Sequence, residues 1–170
     1  PITVISRITA CWNTFIQCCV GVFSIQQYFT ESTKITKLLS NIRKSLNRRG
    51  YFIVTVLDGN KIYNKLKEKH GAGDQAKLTG TVLNNKTGKN DTIWTIETLS
   101  LDLTREYLHD DMNNGFNQKV KIAIKGQDIK EECLVPTGLL ISLAAKQGFT
   151  LVPSDELSEK FSILNKASDS

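Results

Sequence analysis

Ile35, Leu38, Leu39, Ile42 and Leu46 recur at the three-and-four spacing of one helical face, while Lys34, Lys37, Arg43, Lys44 and Arg48 fill the rest. The pattern predicts a helix over residues 32–48, capped by Ser32 or Thr33 and released by Gly50, as a glycine past a helix end commonly does. At Tyr51 the period changes. Tyr51 to Leu57 is a nearly unbroken apolar run rich in β-branched and aromatic residues, which suits a strand covered on both faces. It stops at Asp58-Gly59-Asn60, and helical spacing resumes to about Lys69. Upstream, Phe15 to Ile25 reads as another buried strand, with Gln26-Gln27-Tyr28-Phe29 as its polar and aromatic exit. Strand, helix, strand, polar crest and helix make an α/β unit. In sheets of that kind ligands sit outside the carboxyl ends of the strands, where helix amino ends point inward.

Beyond Gly71-Ala72-Gly73-Asp74 the texture becomes short and alternating. Leu78 to Leu83, Thr92 to Leu99 and Lys119 to Lys125 predict antiparallel strands, the last with Val120, Ile122 and Ile124 on one side and lysines on the other. Asp102 to Asn117, acidic and rich in amides, reads as an exposed loop. Glu131 to Val135 is a short run halted by Pro136, Thr137 to Gln147 has helical spacing ended by Gly148, and Phe149 to Val152 supplies one more strand. Ser154 or Asp155 can cap a last helix carrying Leu157 and Phe161. The two glycines at 71–74 are no phosphate loop, because that motif follows a strand and opens a helix, whereas this one follows a helix.

Composition narrows the class. With 170 residues, 40% hydrophobic and 23% charged, the chain fits one domain over 1–170. Arg7, Asn13 and Gln17 interrupt the amino-terminal apolar stretch, so no run reaches the roughly 20 residues a membrane span requires, and no signal peptide is expected. Cys11, Cys18, Cys19 and Cys133 lack the paired spacing of a zinc or redox site and are expected as reduced thiols in a core, in an intracellular, unsecreted protein. His70 and His109 stand apart, and no metal centre is expected. The net charge of +5 conceals an asymmetry: residues 1–70 carry eleven Lys and Arg against three acids, a balance of +8, leaving −3 for the remainder. A basic first half suits a polyanion such as RNA; solvated helix faces explain it as well.

Three segments align in order with one family. Gly50-Tyr51-Phe52-Ile53-Val54-Thr55 leading into Asp58-Gly59-Asn60-Lys61 resembles the family's glycine-led strand ending in a small acidic or amide turn. Val22-Phe23-Ser24-Ile25-Gln26-Gln27-Tyr28-Phe29-Thr30-Glu31 is similar to its upstream strand exit. Glu132-Cys133-Leu134-Val135 followed by Leu139 to Phe149 resembles its later acid, strand and helix. The family is the S-adenosylmethionine-dependent messenger-RNA cap guanine methyltransferases, and Ile93-Trp94-Thr95-Ile96 with Lys119-Val120-Lys121-Ile122 look most like the versions in large DNA viruses. The resemblance spans about Phe15 to Phe161 and is sharpest over Arg49 to Leu66.

What the resemblance implies is transfer of a methyl group from S-adenosylmethionine to the seven-position nitrogen of the capping guanine, with the capped 5′ end of messenger RNA and the rest of a capping enzyme as partners, and neither DNA nor a membrane. Catalysis of that kind rests on positioning and electrostatics, in keeping with the lack of any nucleophile and base pairing in the sequence. Glu132, or Glu131 if the register slips by one, falls where the family's glutamate accepts hydrogen bonds from the guanine edge. Gln26, Gln27, Tyr28 and Asp58 fall at the guanine side and Phe23 at the methyl donor, with Asn60 beside Asp58 on a crest that a plain turn explains equally well. Gln26 stands where the family has histidine and Val22 where it has glutamine, and Tyr28 matches a tyrosine only with one residue inserted. A glycine-rich donor loop and the acid that holds the donor ribose do not occur before Phe15. The fold class expected is therefore α/β, a partial Rossmann-like methyltransferase sheet with an inserted antiparallel β layer, its donor-binding half absent. Two other readings stay open: an inactive module that binds cap or RNA, and a methyltransferase-like domain for another substrate.

Overall fold

The computed structural model describes residues 2–8, 16–22, 24–71, 76–104 and 115–153, with side chains from residue 18 onward except at 22. In chain order the elements are β1 (Ile2–Ile8), β2 (Ile16–Val22), a 3-10 turn (Gln26–Tyr28), α1 (Ser32–Ser45), β3 (Leu46–Val56), α2 (Gly59–Gly71), β4 (Lys77–Asn84), β5 (Lys89–Thr98), β6 (Lys119–Ile124), β7 (Lys130–Cys133), α3 (Thr137–Lys146) and β8 (Phe149–Leu151). They build two four-stranded sheets, a mixed one in the order β2-β3-β1-β8 and an antiparallel one in the order β4-β5-β6-β7.

The α/β unit of the first half is present: β2 and β3 pair in parallel, joined through α1. β1 runs antiparallel to both β3 and β8, a strand the sequence reading did not anticipate. The burial of β3 alternates. Phe52, Val54 and Val56 are buried with Ile35 and Leu39 of α1 and Leu139, Leu140 and Leu143 of α3, whereas Tyr51, Ile53 and Thr55 are half-buried. On the neighbouring strand Val20 is 61% exposed, so the sheet is sealed on one face and partly open on the other, not covered on both as its composition suggests.

The expected helix over 32–48 ends earlier, at Ser45, and Gly50 is no helix stop. Leu46 turns to φ −89°, ψ 143° and opens the strand. Leu46 pairs with Ile16 while Tyr51 pairs with Cys18, so residues 47–50 form a bulge in β3. Leu46 fits the helical spacing and the start of the strand equally well, and it is buried as strand.

The second sheet is a meander whose two faces separate cleanly, as period two requires. Leu78, Ile96 and Val120 lie under Tyr63 and Leu66 of α2. On the opposite face Lys77, Glu97, Lys121 and Glu131 stand in register across all four strands, alternating in sign, with Lys77 Nζ 2.6 Å from Glu97 Oε1. The expected loop at 102–117 is not simply exposed: Leu103 is buried in the second core, the Tyr63 hydroxyl donates to the Asp102 carbonyl at 2.8 Å, and Phe116 stacks on Phe29. Gly148 closes α3 at φ +81°, a left-handed position that suits glycine. The expected last helix with its Ser154 or Asp155 cap lies outside the described residues. No helix among the described residues is long and apolar enough to cross a membrane.

Candidate functional site

The carboxyl end of β3 and the exit of β7 are tied together by backbone. Asp58 forms a parallel bridge with Val135, and the Gly59 amide donates to the Val135 carbonyl at 3.1 Å. Val135 leads through Pro136 into α3, so the amino ends of α2 and α3 flank one junction. β7 also runs against the 3-10 turn that follows β2, and Ile25 and Phe29, either side of that turn, share a core with Cys133 and Val135. Three chain segments far apart in sequence therefore meet where an α/β sheet presents its strand ends.

Three side-chain oxygens at these segments are buried without a protein hydrogen-bond partner: Gln26 Oε1 in the turn, Asn60 Oδ1 in the first turn of α2, and the Thr137 hydroxyl Oγ1 at the start of α3. Gln26 as a whole is only 3% exposed. A buried polar atom left unpaired costs about 1–3 kcal/mol and is uncommon in native proteins. The sequence marks Asn60 only as a neighbour of Asp58 on the crest, and Thr137 only as the start of a helix. Their signal is their position at the head of a helix that follows a strand end.

Asp58 is largely a structural residue in this setting. Its Oδ1 accepts the Lys61 amide at 3.1 Å, its carbonyl accepts the Ile62 amide, and Lys61 Nζ lies 3.6 Å from Oδ2. That is the N-cap of α2, the turn chemistry that Asp-Gly-Asn suggests. Gln27 is exposed and Tyr28 is half-buried against the first core. Phe23 lies outside the described residues.

Glu132 pairs across the sheet with Val120. Alternation along β7 sends Glu132 and Leu134 toward the α2 side and Cys133 toward the side of the 3-10 turn, so the strand touches the turn while its Glu132 side chain leaves by the other face. Burial pushes the Glu132 carboxyl above the usual carboxylate range, partly offset by the Lys130 ammonium. Glu131, the register alternative, is exposed and faces Lys121.

The raised Glu132 has a thermodynamic sign. A carboxyl whose pKa is higher folded than unfolded holds more protons in the native state, so it erodes stability as pH rises through that interval. Glu132→Gln is therefore expected to melt at a higher temperature than wild type at pH 7, with the gap closing as pH falls below the ordinary value of 4.5. A lower melting temperature at pH 7 would mean that the carboxylate is held by favourable contacts instead.

The thiols divide. Cys133 is buried and its pKa pushed up by desolvation, while Cys18 is exposed on β2, contrary to the expectation of core thiols; Cys11 lies outside the described residues. Among the described residues no group of His, Cys, Asp and Glu is arranged to hold a metal.

No protein-family model matches the chain. It is 31% identical over 138 residues to a probable mRNA-capping enzyme of Acanthamoeba polyphaga mimivirus, an alignment covering 78% of this chain and 10% of that protein. The chain thus spans about a tenth of the length of the curated relative it matches.

Proposed function

We propose that this chain is the cap-guanine side of an mRNA cap methyltransferase, working within a larger capping protein. The observation that carries the reading is the junction of β3, β7 and the 3-10 turn, where Gln26 Oε1 and Asn60 Oδ1 are buried acceptors lacking a protein donor, beside the Thr137 hydroxyl, which can accept or donate and also lacks a partner. Acceptors call for a ligand that donates, and the ring N–H and amino group of guanine make a donor edge. Similarity to a probable mRNA-capping enzyme supports a capping role, and the order of the strand-end motifs supports the methyltransferase part of it.

In this reading Glu132 accepts from the guanine N–H edge, which leaves the seven-position nitrogen on the far side of the purine free for the methyl group. That nitrogen already carries a lone pair, so the protein need only position it. Among the described residues β7 has a strand neighbour on one side only, so a base lying along its outer edge meets Glu132 from one face and the turn that carries Tyr28 from the other. S-adenosylmethionine supplies the methyl group, held mainly by the remainder of the larger protein, since no glycine-rich donor loop follows a strand among the described residues. The second reading is a module that binds the cap without transferring a methyl group.

Titration of a cap dinucleotide into wild type and Glu132→Ala tests the reading. Loss of a charge-assisted hydrogen bond at a half-exposed site is expected to weaken binding about tenfold, the low end of the roughly 1.5–3 kcal/mol such bonds contribute. Equal affinities remove Glu132 from the site. A cap affinity that S-adenosylmethionine does not change, in the full-length protein as well, selects the binding module over the enzyme.

A further inference from the structure

We propose that the outer half of the antiparallel sheet is a landing surface for single-stranded RNA, with the indole of Trp94 as the plane on which a base stacks. The register places Gly80, Trp94 and Ile124 in one row across β4, β5 and β6, on the face that α2 covers only further along, at Leu78, Ile96 and Val120. Gly80 is the reason for the shape of this row: a Cβ there would fall inside the indole, so the missing side chain lets Trp94 lie down across its neighbour. One side of the ring is thus held by the sheet, yet Trp94 remains 39% exposed, with Ile124 and Val82 exposed beside it. A ring already fixed in place loses little freedom when a base settles on it, and stacking of this kind accepts any base.

The charge around the row fits a polyanion. Residues 80–94 and 123–130 hold Lys86, Lys89, Lys125 and Lys130 against Asp91 and Asp128, four positive groups to two negative. Asp91 is paired with Lys125, whose Nζ lies 2.9 Å from its Oδ2 and holds that carboxyl below its usual range, and once that pair cancels Lys86, Lys89 and Lys130 stand against Asp128. Lysines over phosphates with an aromatic plane between them form the combination that binds single strands without reading sequence. Trp94 also shares its face with Glu132, four residues along and two strands across, roughly 16 Å away by standard sheet spacings. No single base touches both, so the surface serves a nucleotide other than the one held at β7, and the inference needs neither cap nor methyl donor.

The test uses the whole chain in a Trp12→Phe background, which leaves Trp94 as the sole indole, and an uncapped, fluorescein-labelled eight-nucleotide RNA of mixed sequence. The RNA is expected to quench Trp94 fluorescence. By anisotropy Trp94→Ala should bind about tenfold more weakly and Trp94→Phe within about threefold of wild type, with affinity falling steeply between 50 and 200 mM salt. Both variants are first shown to keep the wild-type circular dichroism spectrum, and if Trp94→Ala fails that check the quench and the Trp94→Phe affinity decide. Equal affinities for Trp94→Ala and wild type, or binding with no quench, overturn the proposal and give this apolar row to a protein partner. Loss here with cap affinity intact, or the reverse, separates this surface from the site at Glu132.

Discussion

Replacing Phe29 with alanine is expected to cost about 3–5 kcal/mol of folding stability, the range for a large aromatic deleted from a closed core. Phe29 is fully buried, stacks on Phe116 with ring centroids 5.8 Å apart at 26°, and its carbonyl accepts the Asn117 amide at 2.8 Å. It therefore pins the residue after the 3-10 turn to the strand-bound end of the loop before β6. The Phe29 amide in turn bonds to the Gln26 carbonyl, closing the turn that holds Gln26, Gln27 and Tyr28. The loss should be visible in urea unfolding as a lower midpoint with an unchanged slope. Cap affinity should fall with it, because the turn loses its anchor. Phe116→Ala removes a half-buried ring and should cost less, and the two substitutions together less than their sum, by about 0.5–1.5 kcal/mol for the ring pair. A cost for Phe29→Ala under about 1 kcal/mol would show that the turn is held by something other than this ring.

The sequence made much of this legible, for reasons that differ between elements. β6 was plain because Val120, Ile122 and Ile124 alternate with lysines, and a sheet with one buried face writes that alternation directly into the chain. α3 was plain from its spacing and from Gly148, whose positive φ is a backbone requirement that few other residues meet. The end of α1 was not, since Leu46 satisfies two periodicities and the choice between them is made by pairing with Ile16, a contact thirty residues away. β1 was missed for a related reason: a strand that joins β3 on one side and β8 on the other is defined by partners 44–54 and 141–145 residues downstream.

For the candidate site, local chemistry was easier to read than direction. Asp58-Gly59-Asn60 announced a strand end with a helix after it, and both are present; that Asp58 caps the helix shows only in the structure. That β7 would come to the same place followed from its motif order. That Glu132 would leave β7 on the α2 side, with Cys133 on the side of the turn, follows only from the register of β6 with β7. A shift of one residue would exchange Glu132 for Glu131 and move the carboxylate to the face carrying the alternating charges. The half-buried position of Glu132 therefore depends on Val120 staying under α2.

Gly59→Ala is expected to destabilise the protein by about 1–3 kcal/mol, the cost of forcing an extra carbon into a closed contact. A Cβ at Gly59 would stand 2.7 Å from the Val135 carbonyl oxygen, 2.8 Å from its carbon and 2.9 Å from its nitrogen. These are backbone atoms, which no rotamer change can move aside, so relief requires α2 and the β7–α3 connection to part. The hydrogen bond from the Gly59 amide and the Asp58–Val135 bridge are strained together. Helix propensity alone predicts the opposite sign, a gain of up to about 1 kcal/mol from alanine in place of glycine. Gly71 at the other end of α2 supplies the comparison, for a Cβ there meets nothing within 4 Å and Gly71→Ala should be neutral or slightly stabilising. Parallel urea unfolding of the two variants decides the matter. If Gly59→Ala is as stable as Gly71→Ala, the contact at Val135 is not tight, and the three segments are not locked into one junction. If it is destabilised, cap affinity should drop as well, since Asn60 and Thr137 lie on the two elements that the added methyl group drives apart.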